Sequence, residues 1–123
     1  MPGTGNSAEI FNHPSNVASG SNSHAEGYGT EAFGAHSHAE GKNTHATGYA
    51  AHTEGDNTTA SKLTAHAEGS GTIASGDYSH AEGYESKASG KQSHAEGSST
   101  EASGEYSHAG GHKSIASAPA SFA

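Results

Sequence analysis

Cysteine, tryptophan and arginine do not occur in this chain, and leucine, isoleucine, valine and phenylalanine together number eight among 123 residues. The eight are Ile10, Phe11, Val17, Phe33, Leu63, Ile73, Ile115 and Phe122. Without cysteine there is no disulfide framework, although the redox compartment stays open because surface proteins also lack disulfides. No apolar run approaches the length of a membrane span or of a signal-peptide core. An export signal, if the protein works outside a cell, is expected to lie elsewhere, or the protein leaves by another route such as lysis. Five lysines stand against 13 acidic residues, a formal charge of -8. Nucleic acid and acidic membrane surfaces, which are bound by clustered basic groups, are therefore not expected partners. With 18 glycines added, composition alone points to disorder.

The order of the residues points the other way. His24, His38, His52, His66, His80, His94 and His108 recur every 14 residues without a slip. Two places on stand Glu26, Glu40, Glu54, Glu68, Glu82 and Glu96, with Gly110 ending the column. Gly27, Gly41, Gly55, Gly69, Gly83, Gly97 and Gly111 follow in the same phase. Insertions soon spoil the phase of a disordered tail, so seven periods in register require a structure that counts residues.

A period of seven lies inside the fourteen, because S-H-A-E-G-x-x and T-x-A-S-G-x-x share the frame [ST]-x-A-x-G. Strand alternation sends Ser/Thr, Ala and Gly to one face and His and Glu to the other. Glycine followed by two variable polar residues reads as a turn. A helix is excluded by glycine at every seventh position, at about 1 kcal/mol each. The predicted fold is all-β, a parallel β-roll (β-solenoid) of 14-residue turns covering residues 17–123, with seven full turns in a rod of roughly 34 Å. Ala25, Ala32, Ala39, Ala46, Ala60, Ala67, Ala74, Ala81, Ala88, Ala95, Ala102 and Ala109 are the expected roll interior. Residues 1–16 lie outside the frame, and with Ile10-Phe11 are expected to form a lead-in that caps the first rung. Lys62-Leu63-Thr64 replaces the usual Gly-x-x, so an altered turn is expected there. Phe122 stands where the next histidine would fall.

The two half-repeats differ. The outward column of the second half is Glu31, His45, Thr59, Ile73, Lys87, Glu101 and Ile115, mixed as a solvated wall is. The outward pair of the first half is His and Glu nearly every time. An alanine interior buries little, so the coil is expected to cover a face with further copies of itself. The uniform face is the expected seam between subunits: His24, Glu26, His38, Glu40, His52, Glu54, His66, Glu68, His80, Glu82, His94, Glu96 and His108.

Over residues 17–123, beginning at Val17-Ala18-Ser19-Gly20, the pattern resembles the head of trimeric autotransporter adhesins, the YadA-like head repeat, whose turns carry a related S-V-A-I-G motif. The resemblance implies a left-handed parallel β-roll, three copies about a common axis, an extracellular place, and attachment to a host-surface glycan or protein receptor. His and Glu hold the positions of that motif's Val and Ile, a departure in the chemistry of the seam. The SHAEG/ASG wording is also similar to repeats in tail or appendage proteins of phages and prophages of Gram-positive bacteria, which implies a mechanical shaft on a virion as the alternative.

Histidine-rich chains also raise metal binding. Three symmetry-related imidazoles near an axis suit zinc or nickel, and His36-Ser37-His38 adds a local pair. Against a metal module stands a His–Glu hydrogen bond across the seam, which satisfies both groups without an ion. An enzyme is not expected: Ser, His and Glu recur so uniformly that no trio is set apart, and no cofactor motif is present. The glycines form no phosphate loop, and with aspartate only at Asp56 and Asp77 the repeat does not match the calcium-binding nonapeptide. The mixed outer column argues against an ice-binding threonine array. Tyr28, Tyr49, Tyr78, Tyr84 and Tyr106 fall mostly at turns, as surface residues or as platforms for a sugar.

Overall fold

Each SHAEG and each [ST]-x-A-S-G segment is too short to stand alone as a strand, so it must find its hydrogen bonds in the coil above and the coil below. The computed structural model describes residues 3–4, 9–11 and 14–123, and the rest of the expected lead-in lies outside the described residues. It contains two eight-stranded sheets, each parallel throughout. The first runs β1 (Glu9–Phe11), β3 (His24–Tyr28), β5 (His38–Lys42), β7 (His52–Thr53), β9 (His66–Ala67), β11 (His80–Ala81), β13 (His94–Ala95) and β15 (His108–Ala109). The second stacks β2 (Val17–Ala18), β4 (Glu31–Ala32), β6 (His45–Ala46), β8 (Thr59–Ala60), β10 (Ile73–Ala74), β12 (Lys87–Ala88), β14 (Glu101–Ala102) and β16 (Ile115–Ala116). Register is histidine on histidine and alanine on alanine, as in His80↔His94 and Ala81↔Ala95. The chain is thus a β-solenoid of about eight coils.

Among the described residues, no fully buried side chain is larger than threonine. All twelve alanines expected inside are 0 % exposed. Glycine fits between coils because a Cβ has no room: one built at Gly83 would lie 2.1 Å from the Gly97 carbonyl oxygen. From His24 onward, the departure in the first sheet's alanine column is Thr53, buried with its hydroxyl unpaired.

One corner of each coil is a tight turn. In Gly34-Ala35-His36-Ser37, the Ser37 amide and hydroxyl both donate to the Gly34 carbonyl, at 3.2 and 2.6 Å. His36 carries a positive φ of 60°, the mark of the third position of a type II turn. Pro119 occupies the second position of the last such corner, where its fixed φ suits the turn. The left-handed residue also reverses its amide. Strand amides donate to the coil ahead, as His38 N–H does to the Ala51 carbonyl at 2.9 Å, whereas His36 N–H donates back to Ser21 at 2.8 Å. The opposite corner does the same at Asn43, whose N–H reaches the Tyr28 carbonyl at 2.8 Å.

Lys62-Leu63-Thr64, expected to be altered, keeps the common corner. Ala65 N–H donates to Lys62 at 3.2 Å and Thr64 N–H to Tyr49 at 2.8 Å. Asp77 Oδ1 adds support by accepting from the Leu63 amide at 3.3 Å. The turn survives because its hydrogen bonds are made by backbone, which a change of side chain leaves in place.

At the N-terminal end, Glu9, Ile10 and Phe11 pair with His24, Ala25 and Glu26. The offset is 15 rather than 14 residues, which hid this rung from a search for the strict period. Ile10 packs on the alanine core. Asn16 is buried, accepts from the Thr30 amide at 3.1 Å and donates to the Gly27 carbonyl at 2.9 Å. It thereby stands where later coils place Thr or Ser.

Candidate functional site

The first sheet presents its histidines and glutamates outward as two parallel ladders. Neighbouring coils lie one strand spacing apart, close to the thickness at which aromatic rings stack, so identical rings in register meet face to face. Ring centroids are 4.7 Å apart for His52–His66, His66–His80 and His80–His94, with interplanar angles of 11°, 4° and 2°. The stack ends edge-on at both extremes: His24 stands at 90° to His38, and Phe122 meets His108 at 71°. Phe122 therefore continues the aromatic column where the next histidine was expected.

The glutamates lie between the rungs. His94 Nε2 and Glu82 Oε1 are 3.0 Å apart, as are His108 Nε2 and Glu96 Oε1. Elsewhere the fit is looser. Glu26 lies 3.5 Å from His24 Nε2 and 3.7 Å from His38 Nε2, and Glu68 lies 3.4 Å from His66 Nε2 and 3.8 Å from His80 Nε2. His52 stands 3.7 Å from Glu40. Sequence reasoning placed these His–Glu contacts across a seam; within one chain they already run from coil to coil.

Packing like charges at such spacing splits the carboxyls into two kinds. Burial and the carboxyls of Glu54 and Glu26 push Glu40 up to about 7. Sharing a proton with Glu54, together with burial, pushes Glu68 up to about 7. Glu26, Glu54 and Glu82 are held below the ordinary carboxylate range, chiefly by those same protonated neighbours. Burial, then the adjacent imidazoles, keeps His38 and His66 below the usual histidine range, and burial with His94 does so for His80. Protons are thus shared along the glutamate ladder while His38, His66 and His80 resist charging.

Beside the ladder runs a shallow groove lined by Glu26, Glu40 and Glu54 and floored by Gly27, Gly41, Gly55 and Gly69. Its floor exists because those glycines, with φ of 103–113°, carry no side chain. The groove was not anticipated from the sequence, although the unbroken glycine column was the signal for it.

The other face is mixed. His45 pairs with Glu31 at 3.4 Å, and Ile73 and Ile115 stand exposed. Tyr49, Tyr78 and Tyr106 project from corners, Tyr28 closes β3 and Tyr84 bridges to Ser70 and Ser98, and all five are about half exposed. His36 leans on Tyr49, with centroids 5.3 Å apart, and so the expected His36–His38 pair is divided between a corner and a sheet face. No helix among the described residues is long and apolar enough to cross a membrane. No family model matches the chain, and no curated protein matches it.

Proposed function

We propose that this chain is the structural and adhesive head of a trimeric surface fibre, carried on a bacterial cell or a virion and holding it to a host surface. The roll is left-handed in this reading, and three copies pack with their His/Glu ladders toward a common axis. The single observation that carries it is the contrast between the two sheets. One outward face repeats the same two side chains coil after coil at about one-third exposure, as at His66 and Glu68 with 34 % and 29 %, while the other varies freely. An interior of alanine, serine and threonine supports the same reading, since so thin a core buries little on its own and association with further copies would add to it. The exposed tyrosines are the natural platforms for a glycan or protein receptor. A shaft without a ligand of its own is the alternative, favoured by the sameness of successive coils.

Sedimentation equilibrium tests the assembly. A particle of three 12.2 kDa chains is expected, and Glu82→Lys on the ladder should dissociate it while Lys87→Glu on the varied face should not. A monomer at micromolar concentration would overturn the reading. Binding to a glycan array and to host cells separates the adhesive head from the bare shaft.

A further inference from the structure

We propose that the ladder face holds two sites for a divalent transition cation of zinc's class, one formed by His24, Glu26 and His38 and the other by His66, Glu68 and His80. Each site is complete in one chain up to its third ligand, so it does not depend on the trimeric reading.

The argument begins with unpaired nitrogens. Nε2 of His38, His66 and His80, like that of His52, is sealed from solvent and has no hydrogen-bond partner. Such an atom costs free energy unless something meets it. His94 and His108 show that the same rung can close a hydrogen bond at 3.0 Å, so the looser rungs are not a limit of the backbone. In each proposed set the ligand atoms lie within 4.8 Å of one another. The nitrogen-to-carboxylate distances are 3.4–3.8 Å. Four ligands at about 2.0–2.1 Å around a tetrahedral ion stand about 3.4 Å apart, so a contraction of up to about 1.4 Å between the imidazoles completes the set. Two neutral imidazoles and a carboxylate favour zinc over calcium or magnesium, which prefer all-oxygen shells. At the first site Glu9 lies 3.5 Å from His24 Nδ1, where a carboxylate orients a metal-bound imidazole.

Occupancy is limited by sharing. The set His80, Glu82 and His94 competes for His80 and must first break the Glu82–His94 bond. The set Glu40, His52 and Glu54 offers a single imidazole and a carboxyl pair that already shares protons. The two chosen sets have no residue in common and lie three coils apart, about 14 Å, far enough to limit repulsion between the ions.

The test is zinc uptake by the whole chain at pH 7.5, read by calorimetry and by metal analysis after gel filtration. Two equivalents per chain are expected. His66→Gln with His80→Gln should leave one, and the control His36→Gln with His112→Gln, outside both sets, should leave two. Cobalt in place of zinc should give the intense visible bands of a four-coordinate site. Should the double variant fail to fold, Glu68→Gln keeps both imidazoles and should weaken one of the two equivalents by about tenfold or more. No retained zinc, unchanged uptake in the His66/His80 variant, or loss in the His36/His112 control would each overturn the proposal. Sedimentation without zinc reads the assembly separately, so failure of the metal sites and failure of the trimer are told apart.

Discussion

Replacing Gly83 by alanine puts the geometry of the stack to its most direct test. The new Cβ would sit 2.1 Å from the Gly97 carbonyl oxygen, where about 3.0 Å is needed, so the two coils must part by about 0.9 Å. That movement breaks the Tyr84 N–H bond to the same oxygen, now 2.8 Å, at a net cost of about 1 kcal/mol. The residue also keeps a φ of 99°, which penalises an L side chain by about 1–2 kcal/mol. Lost contact between the parted coils adds to this, and the stiffer unfolded chain returns about 0.4–1 kcal/mol. The net loss is about 2–3 kcal/mol, a fall in urea midpoint of about 1–2 M for an m value near 1.5 kcal/mol/M. Gly90→Ala meets a similar obstacle, 2.0 Å from the Gly104 oxygen, with an ordinary φ, and should lose about 1–2 kcal/mol. Gly110 is the control. Its Cβ would find the flexible Glu96 carboxylate at 3.3 Å and no backbone, so Gly110→Ala should match or exceed the parent. Urea unfolding followed by circular dichroism ranks the three. Should Gly83→Ala fall within 0.5 M of the parent, or outrank Gly90→Ala, the reasoning from coil spacing fails.

Three further outcomes are expected. Thr53→Val replaces a buried, unpaired hydroxyl by a methyl of the same shape and should stabilise the fold by about 1 kcal/mol in the same assay. Thr64 is β-branched at a φ of 47°, so Thr64→Asn, which tolerates that conformation, should raise the thermal midpoint, with a gain of about 1 kcal/mol. In chelator, stability should fall as pH rises from about 6.5 to 7.5, the upper part of the range from 4.5 to 7 over which the raised carboxyls lose their contribution and the part that the histidines do not oppose. Glu40 and Glu68, raised to about 7, bind protons more tightly folded than unfolded, and that contribution is lost as pH rises through 7. Below 4.5 the depressed Glu26, Glu54 and Glu82 lose their contribution instead, and the depressed histidines lose theirs as pH falls below 6.5, so the best pH lies at mildly acidic values. A Glu40→Gln, Glu68→Gln double variant should flatten the fall above pH 6.5; a parent whose stability rises over that range would contradict the shared-proton ladder.

The coil was legible because a period is a count, and a count survives ignorance of contacts. Alternation then assigned faces, and the twelve alanines needed nothing more to be placed inside. What escaped is what depends on three-dimensional neighbours. Asn22, Asn43 and Asn57 hint at left-handed corners, yet Ala50, Tyr78 and Tyr106 take the same conformation because the coil requires a backward-pointing amide there, whatever the side chain. The rung at Glu9–Phe11 was hidden by one extra residue. The pairing of His94 with Glu82, 12 positions earlier, follows from the lean of side chains between coils and has no signature in spacing alone.

Sameness from coil to coil leaves a problem of alignment. Sliding the chain by 14 residues trades alanine for alanine and histidine for histidine, so a looped-out repeat would look almost native to its neighbours. The departures break that degeneracy. Thr53 in an alanine column, Ala51 and Ala65 where serine hydroxyls close the corner elsewhere, and Lys62 in a glycine column fall within one stretch near the middle. Each slipped arrangement brings them against the wrong partners. These four residues therefore act as phase marks for folding, and a sequence smoothed to perfect repetition would forfeit its ability to choose one arrangement over its copies.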